Sequence, residues 1–299
     1  MNVFIEKSKE KIKKNIKILG ICFIIVTMLL FTLMDAIAKE LMLTYNETQV
    51  IWARYTSQTL LTLIILCPII FKVLKTKHFF LQFTRSLLLF GATYLFFSSL
   101  KYLQLSEATA IFQIAPIFVT ILSIFILKEK VGMRRWIGVI FGLIGALIII
   151  RPGNDLFSIM IVFPAIAALC YASYVITTKY LSSDEPTSTN FLYTTLIGSI
   201  FATLIAIPNW QPVEEKDIIT LSLFGLLGAL GHLFLIIAFK ISEASFLAPF
   251  TYISLIFGSL WGFLFFSEIP NYFTVCGGLI IVTSGIYVWY REQKKTKKL

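Results

Sequence analysis

Residues 106–153 read SEATAIFQIAPIFVTILSIFILKEKVGMRRWIGVIFGLIGALIIIRPG, and a related stretch returns at residues 242–290 as SEASFLAPFTYISLIFGSLWGFLFFSEIPNYFTVCGGLIIVTSGIYVWY. Each copy contains a helix-length apolar run, a corner with a glutamate, and a second apolar run interrupted by glycines. The correspondence extends along the chain at an interval close to 140 residues, as between Lys39 and Lys179, and shortens to 136 at the start of the quoted stretches. Because an internal repeat determines the architecture, we predict one unit used twice.

The composition indicates a membrane protein. Of the 299 residues, 58% are hydrophobic and only 14% are charged, so a soluble fold would expose very large apolar patches. A helix of about 20 apolar residues crosses the hydrocarbon core of a bilayer. Four stretches reach this length without a charged side chain, at residues 108–127, 157–178, 244–267 and 269–290.

Turn signals and charge clusters divide the chain into ten predicted helices. The first five are at about residues 18–43, 48–71, 83–103, 107–127 and 133–150. The second five are at about residues 157–180, 187–207, 217–240, 243–267 and 270–290. The predicted organisation is therefore a basic tail (1–17), a first repeat (18–153), a second repeat (154–290) and a basic tail (291–299).

The distribution of lysine and arginine predicts the orientation, because cytoplasmic loops are enriched in both. With ten spans and a cytoplasmic N-terminus, 21 of the 26 cations fall on the inner side, including Arg85 and both tails. Lys101, Arg151 and Lys216 fall outside, and Lys39 and Arg54 lie within spans. Both termini are predicted to be cytoplasmic. The positive charge is explained by the membrane, and no nucleic-acid partner is expected.

Five helices per repeat is an odd number, so the second repeat must enter the membrane in the opposite sense. Inverted repeats are typical of transporters whose solute site lies near the bilayer midplane, where the two repeats meet. The predicted fold is thus an all-α membrane protein with ten transmembrane helices in two inverted five-helix repeats.

The residues that carry the repeat also resemble a known family. The segments LKEKVGMRRWIGVIFGLIGALII and FFSEIPNYFTVCGGLIIVTSGIYV, each with its corner glutamate at Glu129 or Glu268, are similar to the EamA-type branch of the drug/metabolite transporter superfamily. The resemblance covers essentially the whole chain. It implies movement of small organic solutes across a bacterial inner membrane, driven by protons or other gradients, without specifying the solute.

Three charged residues near the predicted outer surface are candidates for gating or coupling. Asp35 and Lys39 are four residues apart on one face of the first helix, and Arg54 lies in the first turns of the second. A charge at the bilayer centre costs about 3 kcal/mol on insertion scales, so such groups are usually paired or face water. Two interpretations are open: an interfacial position, with Arg54 reaching the headgroups, or an inward position at the mouth of a cavity.

Polar residues inside the spans are candidates for the solute site, and two prolines, Pro116 and Pro249, are further candidates for gating or coupling. His232 is the one histidine within a predicted span and changes charge most easily near neutral pH, although it equally fits a neutral interhelical hydrogen bond. Gln113 precedes Pro116 by three residues, next to a backbone carbonyl freed by the proline. Pro249 lies earlier in the second copy, so we expect that helix to bend elsewhere.

Several aromatic residues are weaker candidates, because aromatic side chains in membrane helices more often face lipid or fill space. They could stack on a planar or cationic solute. These candidates for the cavity wall are Tyr94, Tyr171, Tyr174, Tyr252 and Trp261, with Tyr252 as the approximate counterpart of Gln113.

The leading functional hypothesis is a secondary transporter that works by alternating access, driven by proton coupling or exchange, for an amino acid, an amine or a nucleoside-like or vitamin-like solute. We expect it to act as a monomer, because a ten-helix pair of repeats could enclose its own pathway. No cofactor is expected, and no metal site, because the four cysteines are scattered singly. A passive channel is the alternative. An intramembrane enzyme is less well supported, because the chain has no HExxH motif and no serine–histidine pair of the hydrolase type.

Overall fold

The computed structural model describes residues 2–103, 105–150, 162–267 and 272–296, and these residues form helices joined by short turns. The first repeat contains α1 (Asn2–Leu41), α2 (Glu47–Leu66), α3 (Ile70–Val73), α4 (Phe79–Ser99), α5 (Leu105–Phe112), α6 (Ala115–Phe125) and α7 (Met133–Ile150). The second repeat contains α8 (Val162–Leu181), α9 (Thr187–Ala206), α10 (Ile218–Ile241), α11 (Ala244–Leu247), α12 (Ser254–Phe266) and α13 (Tyr272–Thr296).

Seven stretches of the described chain are long and apolar enough to cross a bilayer. They are Asn15–Leu41, Glu47–Val73, Phe79–Ser99, Val162–Leu181, Thr187–Asn209, Glu215–Ile241 and Ala244–Phe266. Two shorter apolar helices, Ala115–Phe125 and Val275–Val288, accompany them. The chain is therefore an all-helical, multi-pass membrane protein.

The helix ends agree closely with the apolar periodicity in most places and differ at the N-terminus. α7 begins and ends at the predicted residues, and α9 ends one residue early. α1 begins at Asn2, not near residue 18, so the helix runs through the segment predicted as a tail. Lysine, glutamate and isoleucine, which make up most of that segment, are compatible with a helix, so propensity does not stop it there.

Proline interrupts the helices at equivalent levels of the two repeats. Pro68 and Pro208, 140 positions apart, each lie in a 3-10 turn that ends a membrane helix. α5 ends immediately before Gln113, and the helical path resumes in α6 with Pro116 in its first turn. In the second repeat the 3-10 segment Ala248–Ile253, which contains Pro249, separates α11 from α12.

The expectation that the second copy bends at a different level is wrong. At the local repeat interval of 136, Pro249 is the counterpart of Gln113, so both helices are interrupted at the same position in the repeat. The proline occupies a different place within each interruption, but the interruption itself is shared.

The packing of the helices is symmetric with respect to the two repeats. α1 packs against α10, and its repeat counterpart α8 packs against α4, the counterpart of α10. In the same way α2 packs against α10 and α9 packs against α4, while α2 pairs with α9 and α7 with α13. Each repeat therefore inserts its helices between those of the other, and the interior is formed jointly.

One end of the bundle is closed by a loop contact centred on Tyr45, and we call it the Tyr45 end. The Tyr45 hydroxyl donates to Asp217 Oδ2 at 2.7 Å and accepts the Glu214 N–H at 3.0 Å. Gln49 exchanges two hydrogen bonds with the Gln211 backbone, at 2.8 and 2.9 Å. The α1–α2 corner of the first repeat thereby holds the α9–α10 loop of the second.

The opposite end has the equivalent contact at Glu185, 140 positions after Tyr45, and we call it the Glu185 end. Glu185 Oε1 accepts the Thr76 hydroxyl at 2.7 Å and the Lys77 N–H at 2.8 Å. The Tyr193 hydroxyl donates to the Leu74 carbonyl at 2.9 Å. Here the α8–α9 corner of the second repeat holds the α3–α4 loop of the first. The symmetry operation that relates the two repeats therefore also relates the two ends of the bundle.

The corner glutamate of the first copy caps a helix in the other repeat. Glu129 accepts the backbone N–H groups of Ala244 and Ser245, both at 3.0 Å, and the Ser245 hydroxyl at 2.5 Å. A carboxylate stabilises a helix N-terminus by satisfying donors that lack intrahelical partners. Glu268, the corner glutamate of the second copy, lies outside the described residues.

Candidate functional site

A cavity lies where the two repeats meet. Its wall combines helices of the first repeat (α1, α2, α4, α5 and α6) with α8, α10, α12 and the 3-10 segment of the second. The lining residues that carry the argument below are Phe31, Asp35, Arg54, Ala92, Thr93, Phe96, Phe97, Phe112, Gln113, Tyr171 and His232.

The cavity occupies the half of the bundle nearer the Tyr45 end. On α4 the lining residues run from Leu89 to Phe97, close to the terminus of that helix. That terminus is fixed beside the start of α2 by the ion pair between Lys101 and Glu47. On α1 the lining residues run from Met28 to Asp35, in the half of the membrane span that ends at Leu41.

The polar centre of the wall is an arginine that points inward. Arg54 is 4% exposed; its Nη1 donates to the Thr93 hydroxyl at 2.7 Å, and its Nη2 lies 2.9 Å from His232 Nε2. The interfacial interpretation of Arg54 is therefore wrong. α2 packs between α4 and α10, which carry Thr93 and His232. These two side chains contact the guanidinium, so it does not extend toward the lipid headgroups.

The contact with Arg54 assigns the tautomer of His232. A guanidinium only donates hydrogen bonds, so His232 Nε2 must accept, and the ring must be neutral with its proton on Nδ1. His232 is 1% exposed and its Nδ1 has no partner among the described residues. The Phe31 ring lies 4.7 Å from the imidazole, centroid to centroid.

Asp35 places a carboxyl group on the same wall. Its side chain is partly exposed and lines the cavity together with Arg54. Lys39, one turn further along α1, has its Nζ 5.2 Å from the ring centroid of Phe266 on α12. Thus Asp35 and Arg54 face the same space, while Lys39 contacts a ring at the Tyr45 end.

Aromatic rings form a continuous apolar surface beside these charges. Phe96 and Phe112 have centroids 5.3 Å apart in an edge-on arrangement, and Phe112 and Tyr171 are also 5.3 Å apart. Phe97 lies under the Arg54 guanidinium at 5.7 Å. One wall of the cavity is thus suited to flat or apolar groups, and another to charged groups.

Gln113 joins the interrupted helices of the two repeats. Its Nε2 donates to the Thr251 carbonyl at 3.3 Å, and both residues line the cavity. Thr251 lies in the 3-10 segment, where the regular helical pattern is interrupted near Pro249. A backbone carbonyl at this depth needs a donor from protein or water, and Gln113 supplies it.

Four of the predicted aromatic candidates lie outside the cavity wall. Tyr252 turns toward α7, where its hydroxyl donates to the Val139 carbonyl at 3.1 Å and its ring packs on Gly142. Trp261 donates to the Thr32 hydroxyl at 3.1 Å from behind the wall. Tyr174 lies behind His232, with centroids 6.1 Å apart, and Tyr94 packs in the core around α2 and α4.

The two predicted proline positions also lie apart from the wall. Pro116 is buried at the start of α6, one residue after the lining residue Ala115. Pro249 lines a separate, apolar cavity between α1 and α13. Both prolines shape the helices that carry lining residues.

A second buried arginine occupies the half of the bundle nearer the Glu185 end. Arg85 lies on α4, eight residues and so about 12 Å before Thr93. It is fully buried; its Nη1 donates to the Thr178 hydroxyl at 3.0 Å, and its Nη2 donates to the Thr194 hydroxyl at 2.6 Å and to the Asn190 carbonyl. Its guanidinium also lies 5.4 Å from the Tyr174 ring centroid.

The count of cations assigns Arg85 to the inner side, and the structure adds that its guanidinium is enclosed in protein. Charge counting along the chain places it near the helix start but does not reveal that α8 and α9 enclose it. The partner Thr194 is the repeat counterpart of Arg54, 140 positions later. The two arginine sites thus use related positions of the repeat, one beside a cavity and one inside packed protein.

Sequence reasoning missed most of the aromatic wall and Thr93. The repeat contains a signal that would have found one of these residues, since Phe31 is the counterpart of Tyr171, 140 positions apart, and both line the cavity. Ala92 and His232 are counterparts as well and also meet there. Phe96, Phe97 and Phe112 carry no such signal, because phenylalanine is abundant throughout the chain.

Comparison with known proteins identifies the family. The EamA-like transporter family matches residues 18–151 and 158–290, which together make up most of the chain. The chain belongs to this family. It is a membrane transporter and not an enzyme.

Three curated relatives illustrate the range of similarity. An S-adenosylmethionine uptake transporter of Rickettsia prowazekii is 26% identical over 92% of this chain and 94% of its own. A riboflavin transporter of Vibrio cholerae is 33% identical over 75% of this chain and 76% of its own. A pseudopaline exporter of Pseudomonas aeruginosa is 27% identical over 89% of this chain and 94% of its own.

The fold is also present among solved structures. A crystal structure of another protein superposes with a TM-score of 0.74, covering 91% of this chain and 96% of that one, at 16% sequence identity. At this identity the likeness establishes the fold alone.

Proposed function

We propose that this protein is a secondary transporter that carries a small organic metabolite across a bacterial inner membrane by alternating access. The position of the cavity carries the proposal. Both repeats build its wall, it lies in the half of the bundle nearer the Tyr45 end, and packed side chains around Arg85 fill the other half. A structure with access from one half at a time is what alternating access requires.

The proposed architecture is ten spans in two inverted five-helix repeats. It treats α5 with α6, and α11 with α12, as single interrupted spans, and it includes α7 and α13. The equivalence of Tyr45 and Glu185 supports an axis in the membrane plane, since these counterparts make equivalent loop contacts at opposite ends. Under such an axis, the open half of one state becomes the closed half of the other.

The proposed orientation has the Glu185 end and both termini in the cytoplasm. The excess of lysine and arginine in the segments at that end supports it, because retained loops are positively charged. The described cavity then belongs to an outward-facing state. A pair of repeats that encloses its own pathway is sufficient as a monomer.

We assign direct solute contact to Asp35, Arg54, Gln113, Tyr171 and His232, which all line the cavity. Lys39 and the helix interruptions at Pro116 and Pro249 are assigned to gating, because they lie where helices must move between states. Other predicted aromatic residues support the wall from behind; these are Tyr94, Tyr174, Tyr252 and Trp261. Proton coupling and solute exchange are both compatible with this arrangement.

The relatives supply the first solutes to test, S-adenosylmethionine and riboflavin. The purified protein would be placed in liposomes, and uptake and exchange of labelled solutes measured with and without an imposed pH gradient. We expect saturable uptake that is accelerated by unlabelled solute on the opposite side. Gln113→Ala should lower it strongly, while Glu40→Gln, at an exposed position of α1, should leave it unchanged.

Flux that does not saturate, shows no acceleration by exchange and is indifferent to Gln113→Ala would contradict the carrier mechanism and indicate a passive channel. Folding of each variant is checked by its elution profile and thermal midpoint in detergent, so that loss of flux is not confused with loss of protein.

A further inference from the structure

We infer that the transported solute carries an amino-acid-type pair of charges on a flat or apolar body, with its carboxylate bound by Arg54 and its cationic centre by Asp35. This inference rests on the proposed transport function and specifies the class of solute for the same cavity. It follows from an arginine and an aspartate that line the same cavity and have no ion-pair partner among the described residues.

Arg54 is a buried cation whose described partners are neutral. Its hydrogen bonds go to a threonine hydroxyl and a neutral imidazole, and its Nε–H is buried without an acceptor. Among the described residues, no carboxylate lies within 4 Å of its guanidinium. A guanidinium with free donors beside a cavity suits a carboxylate, which accepts two parallel hydrogen bonds from it.

Asp35 is the complementary feature. Its carboxylate faces the same cavity, and within the described part of the chain no cationic side chain lies within 4 Å of it. Its repeat counterpart is Val175, so the charge is specific to this side of the bundle. An ammonium or other cationic centre on the solute would compensate it.

Alternating access makes this compensation necessary. When the cavity closes around its solute, water leaves, and any charge without a partner becomes costly to bury. Asp35 and Arg54 act on each other across the cavity without forming an ion pair, so an uncharged solute would leave each without a direct partner. A simple amine would leave Arg54 without one, and a simple carboxylic acid would leave Asp35 without one. A solute that bears both charges compensates both residues.

The rest of the wall specifies the body of the solute. Phe96, Phe112 and Tyr171 form a continuous series of rings beside the charged pair. Such rings favour flat or apolar groups and also attract a cationic centre through their faces. The charged pair and the series of rings line one cavity, so the solute would carry its ring system beside its amino-acid group.

The first test compares solutes by charge class in proteoliposomes. The pools are amino acids with S-adenosylmethionine, the corresponding decarboxylated amines, simple carboxylic acids, and uncharged compounds including riboflavin and nucleosides. We expect saturable exchange mainly with the first pool. Exchange restricted to uncharged compounds would overturn this inference while leaving the transporter function intact. Exchange with no pool would contradict the proposed function, and this inference with it.

The second test combines protein variants with solute variants. Binding of the best zwitterion and of its decarboxylated amine is measured by quenching of tryptophan fluorescence, for the wild type, Arg54→Gln and Asp35→Asn. Arg54→Gln should weaken the zwitterion at least about 10-fold and the amine less than about 2-fold, because only the zwitterion has the group that Arg54 binds. Asp35→Asn should weaken both.

Matched controls separate these effects from general charge changes. Glu40→Gln and Lys240→Gln remove one negative and one positive charge at exposed positions, and neither should alter binding. If Arg54→Gln weakens zwitterion and amine equally, Arg54 does not read the carboxylate and the inference is wrong. The same conclusion follows if Asp35→Asn weakens neither, because Asp35 would then not bind the cationic centre of the solute.

Discussion

The two buried arginines of this protein differ in what surrounds them. Arg54 lies beside the cavity and donates to one threonine and one histidine, whereas Arg85 lies in packed protein and donates to two threonine hydroxyls and a carbonyl. Both are nearly inaccessible in area, at 4% and 0% exposed. What separates them is their surroundings: Arg54 lines the cavity, whereas Arg85 is enclosed by α4, α8 and α9.

This difference teaches that burial of a charge does not by itself mark a solute site. Each guanidinium leaves its Nε–H without an acceptor among the described residues, so a free donor does not distinguish the two. A guanidinium enclosed by packed side chains contributes to packing and closure, whereas one that lines a cavity can bind something else. The predictions below separate the two roles, beginning with the largest expected effect.

Arg54→Gln is expected to lower transport efficiency about 100-fold while changing the thermal midpoint little. The variant loses charge-assisted hydrogen bonds to the solute, worth up to about 3 kcal/mol, but disturbs only two protein contacts. Initial uptake rates in proteoliposomes and melting in detergent measure the two quantities. A large fall in the midpoint with an unchanged rate would reverse the roles assigned to the two arginines.

Arg85→Ala is expected to destabilise the protein by about 2–4 kcal/mol, because it removes three hydrogen bonds and leaves a void between α4, α8 and α9. Arg85→Met should recover much of this stability, since Thr178 and Thr194 also donate to their own helices, at 2.7 and 2.8 Å. Denaturation in mixed micelles gives the comparison.

The methionine variant also tests closure. If the Arg85 hydrogen bonds hold the Glu185 half shut, Arg85→Met should transport more slowly although it is stable. Transport at the wild-type rate in a stable Arg85→Met protein would mean that packing alone closes this half, and that the hydrogen bonds are incidental.

His232→Leu is expected to lower transport efficiency about 10-fold, and His232→Gln less than about 3-fold. The glutamine carbonyl can still accept from Arg54, whereas leucine leaves the Nη2 donor without a partner. Saturation curves for both variants provide the measurement. If glutamine is as harmful as leucine, the histidine does more than orient Arg54, and a proton-carrying role gains support.

The smallest effects are expected at the two loop contacts. Tyr45→Phe and Glu185→Gln should each lower stability by about 1 kcal/mol, because each weakens hydrogen bonds that join one repeat to a loop of the other. Similar midpoint shifts are expected for the two variants if the ends are equivalent. A much larger shift at one end would argue against symmetric closure.

Much of the fold could be predicted from the sequence, for physical reasons. Bilayer thickness fixes the length of a span, so charge-free runs and turn residues located most helices, and the 140-residue interval related the repeats. Helix interruption at the level of Pro116 followed from its missing N–H. The shared level of the second interruption did not follow, because an indel shifts the local interval to 136.

The candidate site could be predicted only in part from the sequence, because its geometry depends on contacts between the two repeats. His232 and Gln113 stood out as polar residues in apolar surroundings, and both line the cavity. The inward turn of Arg54 depends on α4 and α10, and the enclosure of Arg85 depends on α8 and α9, all distant in sequence. The outward turn of Tyr252 toward Gly142 has the same cause.

Alternating access is tested most directly by thiol accessibility at two equivalent positions, Thr32 in the cavity wall and Ala172, 140 positions later and fully buried in the closed half. Each is replaced by cysteine in a protein whose four native cysteines are changed to serine, and labelled with a membrane-impermeant reagent from either side. We predict that Thr32→Cys reacts from the Tyr45 side and that Ala172→Cys reacts from the Glu185 side only during turnover. Both should not be open together. Simultaneous reactivity of both positions, or reactivity that ignores the solute, would contradict this account.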